Sequence, residues 1–140
     1  MKNICEIIFY GAKCLWAVVI SEKAVMVLLF LMFCDTITGW IGASILKNWT
    51  SAKAREGFMG KIIELVFVAA LYALDWLFEI DFLKYFGIYY FAVCEVGSMA
   101  ENISKAGGDV PQGLSEVLNA FKDSVGKKVL EKLKEIANNL

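Results

Sequence analysis

The sequence contains no histidine and a single proline, Pro111. The missing histidine removes the commonest general base and the commonest metal ligand together. Neither charge is in excess: 14 Lys and Arg stand against 15 Asp and Glu, a net charge of −1. No overall basic field exists to hold nucleic acid. The four cysteines, Cys5, Cys14, Cys34 and Cys94, form no C-x-x-C pair. A zinc site would need all four thiols from scattered segments, so they read as small apolar packing residues kept reduced. Nothing resembles a phosphate-binding loop, a metal cage or a nucleophile with its base, and Ser98 and Ser104 have no histidine to activate them. The sequence therefore predicts no enzyme, no cofactor and no metal.

What is present is apolar surface. Of 140 residues, 59% are hydrophobic, and mean hydropathy is +0.59. Soluble domains run at about 45–50% apolar, and one this small cannot bury the surplus. The composition describes a small integral membrane protein.

Three stretches qualify as spans. Ala24 to Leu46 is 23 residues with one charge, Asp35, at its centre; at ~1.5 Å per residue it reaches ~34 Å, enough for a ~30 Å hydrocarbon core. Ile62 to Phe78 carries Glu64 and Asp75. The third, 82–100, contains Glu95 and needs Lys84 to snorkel. Trp40, Trp49, Trp76, Phe78, Tyr85, Tyr89 and Tyr90 cluster where interfaces are expected. Before these spans, Lys2, Glu6 and Lys13 make a narrow polar stripe on an otherwise apolar helix over 4–20. That pattern suits either an interfacial helix or a further span. The segment lacks a small-x-small cleavage site and is expected to stay in the mature protein.

Gly107-Gly108, Asp109 and Pro111 break the chain. Beyond them Leu114, Leu118, Phe121, Val125, Val129, Leu133, Ile136 and Leu140 recur every three or four residues among mixed charges. This is an amphipathic helix, expected to pack on a partner or on the membrane surface.

The fold class expected is thus an all-α integral membrane protein. It has an N-terminal amphipathic helix (1–23), a transmembrane domain (24–104, spans near 24–46, 62–78 and 82–100) and an amphipathic tail (105–140). The loop 47–61 carries Lys47, Lys53, Arg55 and Lys61 against Glu56 alone, which predicts a cytoplasmic loop and a cytoplasmic C-terminus in a multi-pass protein of the cytoplasmic membrane.

The candidate functional residues are the acids in these spans. Each costs ~2.5–3.5 kcal/mol near a helix centre and persists there only against protein, against water or protonated. Glu64 and Asp75 are three turns apart on one face, and Lys61 precedes Glu64 by three and is expected to pair with it. Asp35, Thr38, Gly39 and Gly42 share a face of small and polar groups. Gly39-x-x-x-Ala43 is a spacing that lets helices approach closely. With Glu95, these residues are the candidates for lining a pore or joining chains.

Asp35-Thr36-Ile37-Thr38-Gly39 in the first span resembles the D-x-x-T-G signature of the toxin-secretion/phage-lysis holin family. Glu95-x-x-Ser98-x-x-Glu101-Asn102, followed by a glycine turn and Val110-Pro111, is similar to a second family motif, and the basic loop ending Gly57-x-x-Gly60-Lys61 is similar in spacing. The resemblance covers about residues 30 to 120. It implies a holin: a protein that accumulates in the bilayer, associates with itself and opens lesions. Its indirect partner would be a peptidoglycan hydrolase or a large toxin as cargo. Two other readings remain open. One is a small oligomeric channel or transporter subunit using Asp35 and Asp75 as relays. The other is a scaffold that recruits a partner through the tail.

Overall fold

The first apolar run folds as a single helix, α1 (Lys23–Ile45), in the computed structural model, which describes residues 22–139. Three more helices follow: α2 (Ser51–Phe78), α3 (Leu83–Lys105) and α4 (Leu114–Asn139). The described residues are all-helical, as expected. The N-terminal segment 4–20, with Cys5, Cys14 and the Lys2–Glu6–Lys13 stripe, lies outside them, as does Leu140.

The stretch expected as a basic loop, 47–61, is mostly helix. The connector is only Leu46 to Thr50, and α2 starts at Ser51. Thr50 is the reason: its side chain accepts the Lys53 backbone N–H at 3.3 Å, an N-cap. The charges that marked a loop by hydropathy, Lys53, Arg55 and Glu56, are good helix formers and fill the first turns.

The first three helices end alike. Asn48 N–H donates to Ala43 O at 3.1 Å, Ile80 N–H to Asp75 O at 3.0 Å, and Gly108 N–H to Ile103 O at 2.9 Å. Each bond is the 6→1 closure that needs a left-handed residue just before it. At α3 that residue is Gly107, with φ +86°. At α1 and α2 it is Lys47 and Glu79, with φ +52° and +54°.

α3 occupies the middle and packs against α1, α2 and α4, whereas α1 and α2 touch little. The core joins Val25, Leu28 and Met32 of α1, Val68 of α2 and Ile88 of α3. Gly87 lets α2 come close, because a Cβ there would collide with Leu71 Cδ1. Outside this seam the bundle is apolar and bare: Phe30, Phe33, Ile63, Val66, Leu77 and Trp76 are exposed, Trp76 by 84%. A contiguous surface of this kind is suited to hydrocarbon.

Among the described residues, α1 and α2 are long and apolar enough to cross a membrane. The expected third span is not among them. α3 matches α1 in length, but it carries Lys84, Glu95, Glu101, Asn102 and Lys105. The tail turns back along α3: Leu118 lies 3.6 Å from where a Gly97 Cβ would sit, and the Lys122 ammonium is 5.8 Å from the Tyr90 ring centroid.

Candidate functional site

Asp35 is buried halfway along α1, on the seam formed by Val25, Leu28, Met32, Asp35 and Gly42. The seam's spacing of three, four and seven keeps these residues on the side that faces α3. Two further carboxylates belong to the same region: Glu95 of α3, also buried, and Glu64 of α2, half-buried.

Lys61 joins them. Its ammonium donates to Asp35 Oδ2 at 2.8 Å and to Glu95 Oε2 at 2.6 Å. The side chains are 16%, 12% and 4% exposed for Lys61, Asp35 and Glu95, so water screens this triad little. Asn102, two turns beyond Glu95 on α3, donates from Nδ2 to Asp35 Oδ1 at 3.1 Å and lies 3.5 Å from Thr38 Oγ1. Thr38 itself donates to the Asp35 carbonyl at 2.9 Å. Both Asp35 carboxylate oxygens are therefore used. The expected local pair of Lys61 with Glu64 does not form. Lys61 turns to two carboxylates on other helices, and Glu64 is left beside Glu95 with a buried Oε2 that has no hydrogen-bond partner.

The small residues of α1 serve this arrangement. A Gly39 Cβ would stand 3.5 Å from Asn102 Nδ2, and a Gly42 Cβ 3.4 Å from Asn102 O. The close approach to α3 of the same chain is thus made by Gly39 and Gly42, whereas Ala43, the second member of the Gly39-x-x-x-Ala43 spacing, lines the space toward α2. Next to the triad, a cavity of about 210 Å³ separates α1 from the first half of α2. Asp35 and Lys61 form part of its wall, with Trp40, Trp49, Lys53 and Phe58 around it.

Asp75 has a separate task. Its carboxylate accepts the backbone N–H groups of Leu83 at 3.0 Å and Lys84 at 2.9 Å, capping α3 from the preceding helix. The structure therefore brings Asp35, Thr38, Gly39, Gly42, Glu64 and Glu95 together and sets Asp75 apart. Of the other motif residues, Lys61 and Asn102 belong to the cluster. Ser98 is half-buried in α3, Glu101 is exposed and paired with Lys105 at 3.1 Å, and Pro111 lies exposed in the connector before α4.

By sequence Lys61 is a partner for Glu64 and Asn102 a motif residue alone; that the two are the donors for the buried Asp35 and Glu95 is not visible there. The available signal was position: acids on three different spans, with Lys61 directly at the start of the second.

The model of the bacteriophage holin family matches residues 14–123. No curated protein and no solved structure matches the chain.

Proposed function

The chain belongs to the bacteriophage holin family, and from that membership we propose that it assembles with copies of itself in the cytoplasmic membrane into lesions that release a peptidoglycan hydrolase or a toxin. The observation that supports this most is an ionic cluster enclosed by a bare apolar exterior. Asp35, Lys61, Glu95 and Asn102 satisfy one another inside one chain, so the single copy can rest in lipid. In an assembly that encloses water, the same groups can be hydrated, and polar faces that are costly in lipid become a lining. In this reading α3 crosses the membrane as a third span, with its polar residues turned toward its neighbours. The connector after α1 and the C-terminus are cytoplasmic, and the chain acts by association and not as an enzyme.

Asp35→Asn provides the test, because it keeps the shape and removes the charge. Wild type and variant are compared for release of a cytoplasmic enzyme and for proton flux, at matched membrane levels. Wild type is expected to release the enzyme, and the variant to release it with an altered onset. Proton flux without any protein release would reject the lesion. A narrow channel with Asp35 as relay would then take its place.

A further inference from the structure

Three observations concern how α1 is attached to the rest of the chain. First, α2 and α3 form a firm hairpin: Asp75 caps α3, Leu71 fills the space over Gly87, Phe67 meets Phe91 edge-on at 5.9 Å, and the Lys84 ammonium lies 5.5 Å from the Tyr72 ring centroid. Second, α1 touches α2 little and is held mainly by its seam on α3. Among the described residues, the polar ties of α1 to other helices are Asp35 with Lys61 and Asn102, and Thr38 with Asn102. Third, the connector Leu46–Thr50 contains Lys47 in the left-handed region, at φ +52°, without being glycine. A short, strained connector beside a self-sufficient seam invites exchange of the segment between copies.

We propose that on assembly α1 leaves its own hairpin and seats on the α3 of a neighbouring copy, so that Lys61 and Asn102 hold the Asp35 of the next chain. This rests on the reading that the protein assembles. Five extended residues reach at most about 17 Å, and packed helices lie about 8–10 Å apart, so the connector can reach a neighbouring position without unwinding either helix. The exchange leaves no further polar group bare, because every donor meets the same acceptor it had before. Moving α1 in one direction from copy to copy also makes a head-to-tail contact, which can close into rings of many subunits or grow. The 210 Å³ cavity beside Asp35 and Lys61 marks where α1 and the first half of α2 are already apart.

The test mixes two variants, each lacking one half of the bridge. Asp35→Asn keeps Lys61, and Lys61→Met keeps Asp35. Differently tagged copies are expressed singly and together, and both tag co-purification and enzyme release are measured. Each variant alone is expected to assemble less and to release enzyme with an onset delayed roughly tenfold: Lys61→Met strips Asp35 and Glu95 of their cation, and Asp35→Asn removes the charge that ties α1 to Lys61, which keeps Glu95. Together they should recover, since the Lys61 of one copy meets the Asp35 of the other. The double variant in one chain serves as the folding control. Independently, a photoreactive residue at Leu29, which packs at the edge of the core, should link to a second tagged copy of otherwise wild-type sequence once assembly begins. Intramolecular links alone, or a mixture no better than its components, would overturn the exchange while release by wild type leaves the lesion standing. Mixed assemblies that recover without any release of enzyme would retain the exchange and remove the lesion.

Discussion

Lys61 carries more of the structure than its position at a span edge suggests. One ammonium on α2 serves carboxylates on both α1 and α3, so three helices depend on a single side chain. Removing one member of a buried ion pair strands the others without solvent, at about 3–5 kcal/mol, whereas replacing the whole set by neutral groups of similar shape is often close to neutral. Lys61→Met should therefore destabilise the protein by about 3–5 kcal/mol. The triple change Asp35→Asn, Lys61→Met, Glu95→Gln should regain most of that loss. Reversible unfolding in micelles checks both. Equal losses in the single and triple variants would mean that the charges contribute little beyond their packing. Little of this cluster was legible in the sequence. Asp35 and Glu95 stand 26 and 34 residues from Lys61, and only tertiary packing brings such positions together. The one partner visible by spacing was Glu64, and a single neighbour on the same helix lost to two carboxylates on others.

The helices themselves were far more legible, for reasons that differ from one to the next. α1 came within one residue at each end, because its apolar run is bounded by Lys23 and by Lys47-Asn48. α2 was placed correctly where it is apolar and shortened where it is charged, since hydropathy responds to burial in lipid while Thr50 and Ala52 to Glu56 respond to helix propensity. Asp75 was seen as a polar group in a span, but its role as a cap depends on the turn that follows it. Those turns make the second prediction. Left-handed geometry costs a residue with a Cβ about 1–2 kcal/mol, and glycine returns part of that gain through its freedom in the unfolded chain. Lys47→Gly and Glu79→Gly should each stabilise the protein by about 0.5–1 kcal/mol, as measured by the same unfolding assay. A loss at either position would show that the side chain makes a contact worth more than the strain it carries.

At the scale of the whole molecule the remaining question is which side each connector faces. α1 and α2 run antiparallel through a five-residue turn, and α2 and α3 through Glu79 to Phe82, so the two connectors lie at opposite ends of the bundle. Ser51 at the first turn and Asp81 at the second are both exposed. The first end gathers Lys47, Lys53 and Arg55 with Glu56, the second Glu79 and Asp81 with Lys84. Moving basic residues across a membrane is the unfavourable step that fixes orientation, so the first end should be cytoplasmic. With every native cysteine replaced, a cysteine at Ser51 should be protected from membrane-impermeant thiol reagents in intact cells, and one at Asp81 should react. Breaking the cells open should expose Ser51 as well, which separates protection by the membrane from burial in the protein. The timing of labelling adds a second condition: Ser51 must stay protected until permeability rises, then react together with cytoplasmic proteins. Labelling of Ser51 in sealed cells before that point would reverse the orientation, and with it the cytoplasmic placing of the tail that follows from the two crossings, α2 and α3, between Ser51 and α4.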